Sequence, residues 1–208
     1  MAAALVGWMA TFVGAVLGFP QLWRLVRTRN VEGLSLVAWQ WILVMNIIWF
    51  AHGLRIDQPP QLVVNSIGAC ATVPILVLLA RAVGRRLWRV ALPSLAAATV
   101  IIAIDALWGS AAFGLAAIVP GIGSTVGQTV ELIRAPHVRG LSALFMALAF
   151  VNQVLWTAWA VLINDPGSVI TTITMSLLTG LNLAWYVARR LGLRALFSPA
   201  PADVARVD

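Results

Sequence analysis

The 208-residue chain is poor in charge and in cysteine. Only 10% of its residues are charged, all 14 basic residues are arginine, and Cys70 is the single cysteine. One cysteine excludes a disulfide framework and a cysteine-based metal site. Soluble domains carry about 25% charged residues, and the arginines here stand in short loops instead of on one basic domain. The composition therefore argues against a soluble domain and against a nucleic-acid partner.

Apolar residues make up 61% of the chain, and the mean hydropathy is +0.93. They fall into blocks of about 20 residues, the length with which an α-helix crosses the hydrocarbon core of a bilayer. We therefore expect an all-α membrane protein with seven transmembrane helices. The predicted spans are 5–25, 34–54, 61–80, 90–108, 112–133, 141–163 and 168–188. The N-terminus has no basic segment, so it is predicted to be the first span and not a signal peptide.

Arginine is distributed very unevenly over the loops between these spans. Arg55 is the only arginine on one side, beside Asp57 and Asp165, and all the others fall on the opposite side. By the positive-inside rule, the N-terminus is expected outside and the C-terminus in the cytoplasm of a cell-membrane protein. The polar tail, 191–208, is predicted to be disordered.

A repeat of 107 residues relates the two halves of the chain. Without a gap, it matches Gln21 with Gln128, Trp49 with Trp156, the Gly-Leu-Ser of 33–35 with that of 140–142, and Pro59 with Pro166. Three spans are thus followed by one extra span and three more. Because three is odd, the extra span restores the direction of the second copy, and the repeats run parallel. The predicted units are a first three-helix repeat (1–80), an inverting linker helix (81–110) and a second repeat (111–190).

The stretch PQLWRLVRTRNVEGLSLVAW, with WFAHG and NSIG further on, resembles the PQ-loop superfamily, and within it the MtN3/saliva or SWEET sugar transporters. The resemblance covers nearly the whole chain in its three-plus-one-plus-three order. It implies a solute pocket near the midplane between the repeats. Relatives with the same turn are associated with amino acids or with receptor roles, so the resemblance is less specific for the solute.

The resemblance implies a set of residues that bind the solute. These are Trp49, Asn65, Trp156, Thr172, Met45, Asn152 and Ser176. An indole offers a flat apolar face to a sugar ring, and amides and hydroxyls bind its hydroxyl groups. The alternatives are an interfacial belt for the tryptophans, which is expected for Trp8, Trp108 and Trp159, and interhelical hydrogen bonds for the polar residues.

A second set of residues is expected at gates and hinges. It comprises Pro20, Gln21, His52, Gly127 and Gln128. Pro20 removes a backbone hydrogen bond and favours a bend, and Gly127 takes its place in the second repeat. The glutamines are expected at helix ends. His52 is interpreted either as a gate residue or, with slightly greater weight, as a solvated residue at the edge of a loop.

Neither Asp105 nor Glu131 is predicted to lie near the midplane, which favours a passive facilitator over a proton-coupled pump. The sequence predicts a membrane transporter of small neutral sugars that is not an enzyme and needs no cofactor or metal. The bilayer and a small solute are the expected partners, and a homo-oligomer is left open. The alternatives are an amino-acid transporter and a non-transporting receptor or scaffold.

Overall fold

The computed structural model describes residues 1–28, 34–134, 142–193 and 195–196; among the side chains of 18–28 it describes those of Trp23 and Arg27. Every regular element in these ranges is an α-helix. The helices are α1 (Ala2–Thr28), α2 (Leu36–Arg55), α3 (Pro59–Ala82), α4 (Leu87–Arg134), α5 (Ala143–Ile163) and α6 (Pro166–Arg190).

Helix α4 is two helical segments joined at Gly109. This residue has φ 81° and ψ −179°, a conformation open to glycine and costly for residues with a Cβ. The segments, 87–108 and 110–134, bring the helical segments of the described chain to seven. They agree with the seven predicted spans to within a few residues and confirm the all-α fold class. The division into units at 80 and 110 remains a prediction.

Five of the helices, α2 to α6, are long and apolar enough to cross a membrane. The fully described part of α1, Ala2–Leu17, is an apolar helix of shorter length. Many large apolar side chains of these helices are exposed on the outside of the bundle, as Leu107, Leu177 and Leu181 illustrate. Such an apolar exterior is stable in lipid and not in water.

Equivalent helices of the two repeats begin with the same devices. Ser35 caps α2 by accepting a hydrogen bond from the amide of Ala38 at 3.2 Å, and Ser142 caps α5 by accepting one from Phe145 at 3.2 Å. The prolines Pro59 and Pro166 open α3 and α6, where a missing N–H costs nothing. The serine of each Gly-Leu-Ser motif therefore starts the second helix of its repeat.

In each repeat the third helix packs against both other helices. Helix α3 contacts α1 and α2, and α6 contacts α4 and α5. We call α1–α3 triplet one, and segment 110–134 with α5 and α6 triplet two. Segment 87–108 is the linker helix. The triplets meet where α1 packs on α5 and where α2 packs on α4. A cluster that includes Ile48, Ala98 and Phe113 fills the second of these contacts.

One helix crossing in triplet two is unusually close. At Gly114, an added Cβ would meet the backbone of Gly167, and at Gly167 it would meet the carbonyl of Ser110. Thr171 crosses the same contact and donates a hydrogen bond to the carbonyl of Gly114 at 2.8 Å. Only glycine allows the two backbones this approach.

The two ends of the bundle differ in charge. At one end lie the α2–α3 turn, Gly109 and the α5–α6 turn; we call it the short-turn end. Arg55 is its one described arginine. The other end, the arginine-rich end, carries the rest of the described arginines, which are Arg27, Arg81, Arg85, Arg86, Arg89, Arg134, Arg189 and Arg190.

Candidate functional site

A cavity of about 170 Å³ lies between the two triplets. It is lined by α2 and α3 from triplet one and by α5 and α6 from triplet two, so one chain encloses it. None of the described residues that line it is charged. Sites for drug-sized ligands are about 300–1,000 Å³, so this cavity suits a smaller neutral solute.

Six of the seven residues expected to bind solute line this cavity. They are Met45, Trp49, Asn65, Asn152, Trp156 and Thr172. The structure thus brings together side chains up to 127 positions apart. The seventh, Ser176, is outside the lining: its hydroxyl is hydrogen-bonded at 2.9 Å to the hydroxyl of Thr157 on α5.

The two predicted tryptophans are held in different surroundings. Trp49 is 8% exposed. Its ring packs edge-on against Phe113 at a centroid distance of 5.0 Å and against His52 at 5.7 Å. Trp156 is half-buried and packs edge-on against Trp159 at 5.1 Å. Such aromatic pairs fix ring orientation, so each triplet presents one oriented indole to the cavity.

Asn65 and Thr172 occupy equivalent positions and make equivalent bonds. The Asn65 amide nitrogen donates to the carbonyl of Gln61 at 2.7 Å, and the Thr172 hydroxyl donates to the carbonyl of Ser168 at 2.6 Å. Each bond therefore reaches four residues back in its own helix. The amide keeps a second N–H and its oxygen, whereas the hydroxyl has spent its one proton and keeps only lone pairs.

Three further polar atoms near the cavity have no hydrogen-bond partner among the described residues. They are Gln61 Oε1, Asn152 Oδ1 and Trp159 Nε1, all of them buried. Gln61 is 4% and Trp159 is 1% exposed. A buried polar group without a partner costs about 1–3 kcal/mol, so a solute or water that supplies the missing partner is stabilised here.

A buried ionic network lies between the cavity and the short-turn end. His52, one helical turn beyond Trp49, is 0% exposed and stacks on Phe113 at 4.1 Å. Its Nδ1 lies 2.7 Å from a carboxylate oxygen of Asp105, and its Nε2 lies 3.0 Å from one of Asp165. Arg55 donates from Nε to the same Asp105 oxygen at 3.0 Å and places Nη2 2.6 Å from the other.

Asp165 stands in the α5–α6 turn and caps α6. Its carboxylate accepts hydrogen bonds from the amide of Ser168 at 2.8 Å, from the hydroxyl of Ser110 and from His52. Burial by itself raises the pKa of Asp165, but these hydrogen bonds outweigh it and hold the pKa well below the ordinary value. The carboxylate is therefore ionised and joins triplet two to His52 of triplet one.

The PQ loop repeat family matches residues 2–62. The sugar transporter SemiSWEET of Escherichia coli (strain UMEA 3162-1) is 32% identical over 74 residues, which are 36% of this chain and 83% of that protein. A solved structure of a eukaryotic SWEET transporter superposes with a TM-score of 0.71 at 13% identity and covers 92% of this chain and 100% of its own.

The chain belongs to the SWEET family. The relative of 32% identity decides this, and the structural likeness extends the agreement in fold over nearly the whole chain. The predicted resemblance to the PQ-loop superfamily is thereby confirmed.

The expected gate and hinge residues of this SWEET-family chain lie in different environments. Pro20 and Gln21 belong to α1, but their side chains lie outside the described residues. Gly127 is exposed, and an added Cβ there would meet no atom within 4 Å. Gln128 donates its amide to the sulfur of Met146 at 3.2 Å, so it links α4 to α5.

Two sequence predictions are wrong because burial depends on distant partners. The expectation that His52 is a solvated loop-edge residue fails, since two aspartates at the same end enclose it. Trp159 is not a belt residue either, because it lines the cavity. Trp8 and Trp108, by contrast, are 45% and 69% exposed, as a belt position requires.

Sequence reasoning missed half of the cavity lining. The unpredicted residues are Gln61, Val64, Gln153, Trp159, Thr171 and Met175. One signal was available: Gln61 lies one helical turn before Asn65, on the same face. The repeat gives a second signal. Trp159 is the repeat equivalent of His52, so the expected gate role of His52 indicates a functional role for position 159 as well.

Proposed function

We propose that this chain is a facilitative transporter that moves small neutral sugars across a membrane by alternating access. The observation that carries the proposal is the uncharged cavity between the two triplets, which presents two oriented indoles and several amides and hydroxyls. Family membership supports it, because the Escherichia coli relative is a sugar transporter. The relatives named above are transporters and not enzymes, in line with the expectation for this chain.

The cavity chemistry suits a sugar in two ways. The flat faces of Trp49 and Trp156 match the apolar C–H face of a pyranose ring. Hydroxyl groups can donate to the unpartnered amide oxygens of Gln61 and Asn152 and to the hydroxyl lone pairs of Thr172. Each of these hydrogen bonds replaces one that the sugar hydroxyl made to water before it entered the membrane.

The positions of the carboxylates favour facilitation over proton coupling. Among the described residues, Asp105 and Asp165 belong to the network at the short-turn end, and Asp57 and Glu131 are exposed. No carboxylate lines the cavity. A carrier of cationic amino acids needs a negative partner for its solute, and a proton-coupled carrier needs an ionisable relay; the cavity supplies neither.

The bond between His52 and Asp165 is proposed as the gate at the short-turn end. It joins α2 of triplet one to the turn that begins α6 of triplet two, at 3.0 Å, and it lies one turn from Trp49. Opening a path from the cavity to that end separates the triplets there and breaks this bond. Closure therefore gains a charged hydrogen bond, which is stronger than a neutral one.

The arginine distribution supports an orientation in a cell membrane. The arginine-rich end faces the cytoplasm and the short-turn end faces outside, since short loops rich in arginine stay on the cytoplasmic side. The N-terminus is then outside, and the C-terminus is inside.

Transport into liposomes tests the proposed function. Purified protein is reconstituted, and entry of radiolabelled glucose, sucrose and arginine is followed with and without a pH gradient. We expect counterflow of a sugar at a rate that ignores the gradient. Sugar flux that follows the gradient would contradict facilitation, arginine flux would indicate the amino-acid alternative, and the absence of any flux would favour a receptor or scaffold.

A matched pair of asparagine variants separates the cavity from general packing. Asn65→Ala removes a cavity amide, whereas Asn46→Ala removes an amide that bonds the hydroxyl of Thr72 at 3.0 Å between α2 and α3. We expect the first to reduce sugar flux by up to about tenfold at unchanged membrane insertion, the effect of losing one well-placed hydrogen bond. Equal losses in the two variants would place the solute elsewhere.

A further inference from the structure

The linker helix contributes a buried carboxylate to the network at the short-turn end. Asp105, near the end of segment 87–108, is 4% exposed. One carboxylate oxygen of Asp105 lies 2.7 Å from Nδ1 of His52, and Arg55 contacts both carboxylate oxygens. The linker is needed to reverse the direction of the second repeat, and that task requires no charge at this position.

We propose that Asp105 is a positioning residue of the gate, so that the linker helix is a working part of it and not only a connection. The inference rests on the proposed function, because it assumes that the His52–Asp165 bond opens and closes. Asp105 touches no solute. It acts by holding the imidazole of His52 in the orientation in which Nε2 lies 3.0 Å from Asp165.

The hydrogen bonds of His52 support this role. Both ring nitrogens lie within 3.0 Å of carboxylate oxygens, so Asp105 and Asp165 hold the ring from its two sides. Arg55 in turn contacts both oxygens of Asp105. Without Asp105, Nδ1 of His52 loses its partner, and the ring is no longer held in the orientation in which Nε2 reaches Asp165.

The packing places Asp105 on the same side of the gate as His52. Segment 87–108 is joined to α2 by two hydrogen bonds, from the amide of Gln40 to the carbonyl of Val90 at 2.6 Å and from the hydroxyl of Ser94 to the carbonyl of Gln40 at 3.0 Å. Asp105 therefore stays with His52 when the triplets separate. On the other side, Asp165 keeps the hydroxyl of Ser110 and the amide of Ser168. Each half of the opened gate retains a partner for its charge, which makes opening reversible.

The backbone between the two halves allows such a separation. Asp105 and Ser110 are five residues apart in α4, with Gly109 between them at φ 81°. Gly109 interrupts the helix there, so the linker segment and segment 110–134 are separate helical segments. The gate opens between them, with Asp105 on one segment and Ser110 on the other.

Cysteine accessibility from outside measures whether the gate is closed. The parent carries Cys70→Ser, which removes the single native cysteine, and Val64→Cys, which places a thiol in the cavity lining. It is reconstituted in liposomes, and its reaction with a membrane-impermeant thiol reagent added at the short-turn face is timed. Thermal stability of each variant in detergent reports on folding, and sugar counterflow reports on transport.

We expect Asp105→Asn to raise the labelling rate about tenfold or more, the effect of losing a hydrogen bond to a charged group. His52→Gln should do the same. Combined, the two changes should open the gate no further than His52→Gln alone, because Asp105 acts through His52. Asp105→Glu should restore most of the protection. The control is Asp57→Asn, which removes an exposed carboxylate at the same end and should leave labelling unchanged.

Arg55→Gln provides a second test should Asp105→Asn fail to fold. Arg55 is 41% exposed in its side chain and contacts Asp105 at the exposed edge of the network, so its loss should raise labelling in the same direction by a smaller factor. Labelling at the parent rate in Asp105→Asn, or in Arg55→Gln, while His52→Gln opens the gate would overturn the role of the linker. Parent-rate labelling in His52→Gln would instead overturn the gate of the proposed function.

Discussion

The two triplets keep the same helix starts and differ in the side chains that face the cavity. The capping serines and the opening prolines are unchanged between them. The cavity and gate positions are not: Met45, His52, Gln58 and Asn65 of triplet one correspond to Asn152, Trp159, Asp165 and Thr172 of triplet two. The repeated backbone builds the bundle. The side chains that differ between the repeats lie at the cavity and the gate, where they contact one another and face a solute without two-fold symmetry.

The gate shows how far the difference goes. His52 on α2 reaches Asp165 across one seam of the bundle. The equivalent pair across the other seam is Trp159 and Gln58. There the indole nitrogen has no hydrogen-bond partner in the described chain, and the Gln58 amide donates to the carbonyl of Ile56 at 3.3 Å. Of the two equivalent seams, the one with His52 carries the ionic bond.

The largest expected effect comes from removing the matched tryptophans. Trp49→Ala and Trp156→Ala should each reduce sugar flux at least about a hundredfold, because each removes an aromatic surface from the cavity. Their effects on stability should differ. Trp49 is buried against Phe113, so its loss costs about 3–5 kcal/mol, whereas half-buried Trp156 costs less.

Counterflow and thermal unfolding in detergent measure the two effects separately. Trp108→Ala, at a position 69% exposed, serves as the control for loss of any tryptophan and should leave flux intact. Equal destabilisation by Trp49→Ala and Trp156→Ala would contradict the structural difference between the triplets.

The second effect concerns the equivalent caps Gln58 and Asp165. Asp165→Asn should lower the free energy of unfolding by about 3 kcal/mol at neutral pH, since it breaks a buried ionic network. Gln58→Asn should change it little, because Gln58 makes no side-chain cap bond. The asymmetry should be visible as a large shift in thermal unfolding for one variant and a small shift for the other.

The difference in stability between the parent and Asp165→Asn is expected to depend on pH. Since the pKa of Asp165 is lowered in the folded protein, its stabilisation is present above the ordinary aspartate pKa of about 4 and is lost as the pH falls further. The difference in melting temperature between parent and Asp165→Asn should therefore shrink in acid. A difference that stays constant down to about pH 3 would show that the carboxylate charge is not the cause.

A smaller effect is expected from two glycines of α4. Gly109→Ala forces a Cβ into φ 81° and should destabilise by about 1–3 kcal/mol. Gly127→Ala has open space and should stabilise the helix by up to about 1 kcal/mol. If Gly127 is the hinge that replaces Pro20, its alanine variant should also slow counterflow. Unchanged flux with raised stability would remove Gly127 from the hinge.

The smallest effect tests the unequal polar pair. Thr172→Asn gives triplet two the amide that triplet one has in Asn65. One additional amide is worth about 0.5–1.5 kcal/mol, so we expect the apparent affinity for sugar to change less than about tenfold, with folding intact. Complete loss of transport would show that the site needs a hydroxyl and an amide at these two positions.

The sequence predicted the features that repeat or that local chemistry dictates. Span ends follow from apolar block length, and the +107 register brings Trp49, Trp156, Asn65 and Thr172 to one cavity. The environment of His52 could not be predicted in this way, because its partners stand 53 and 113 positions away. The sequence predicts that Asp105 lies away from the midplane, but it does not predict that its side chain lies beside that ring.

The Gly114–Gly167 contact makes a demand on the sequence that the other helix crossings among the described residues do not make. A methyl group at either position would strike backbone atoms, which cannot rotate away as a side chain can. In a library that samples every substitution, these two positions should tolerate almost nothing. Surface positions of the same helices should accept any apolar residue, so the pattern of tolerated variants would mark the contact without any structure.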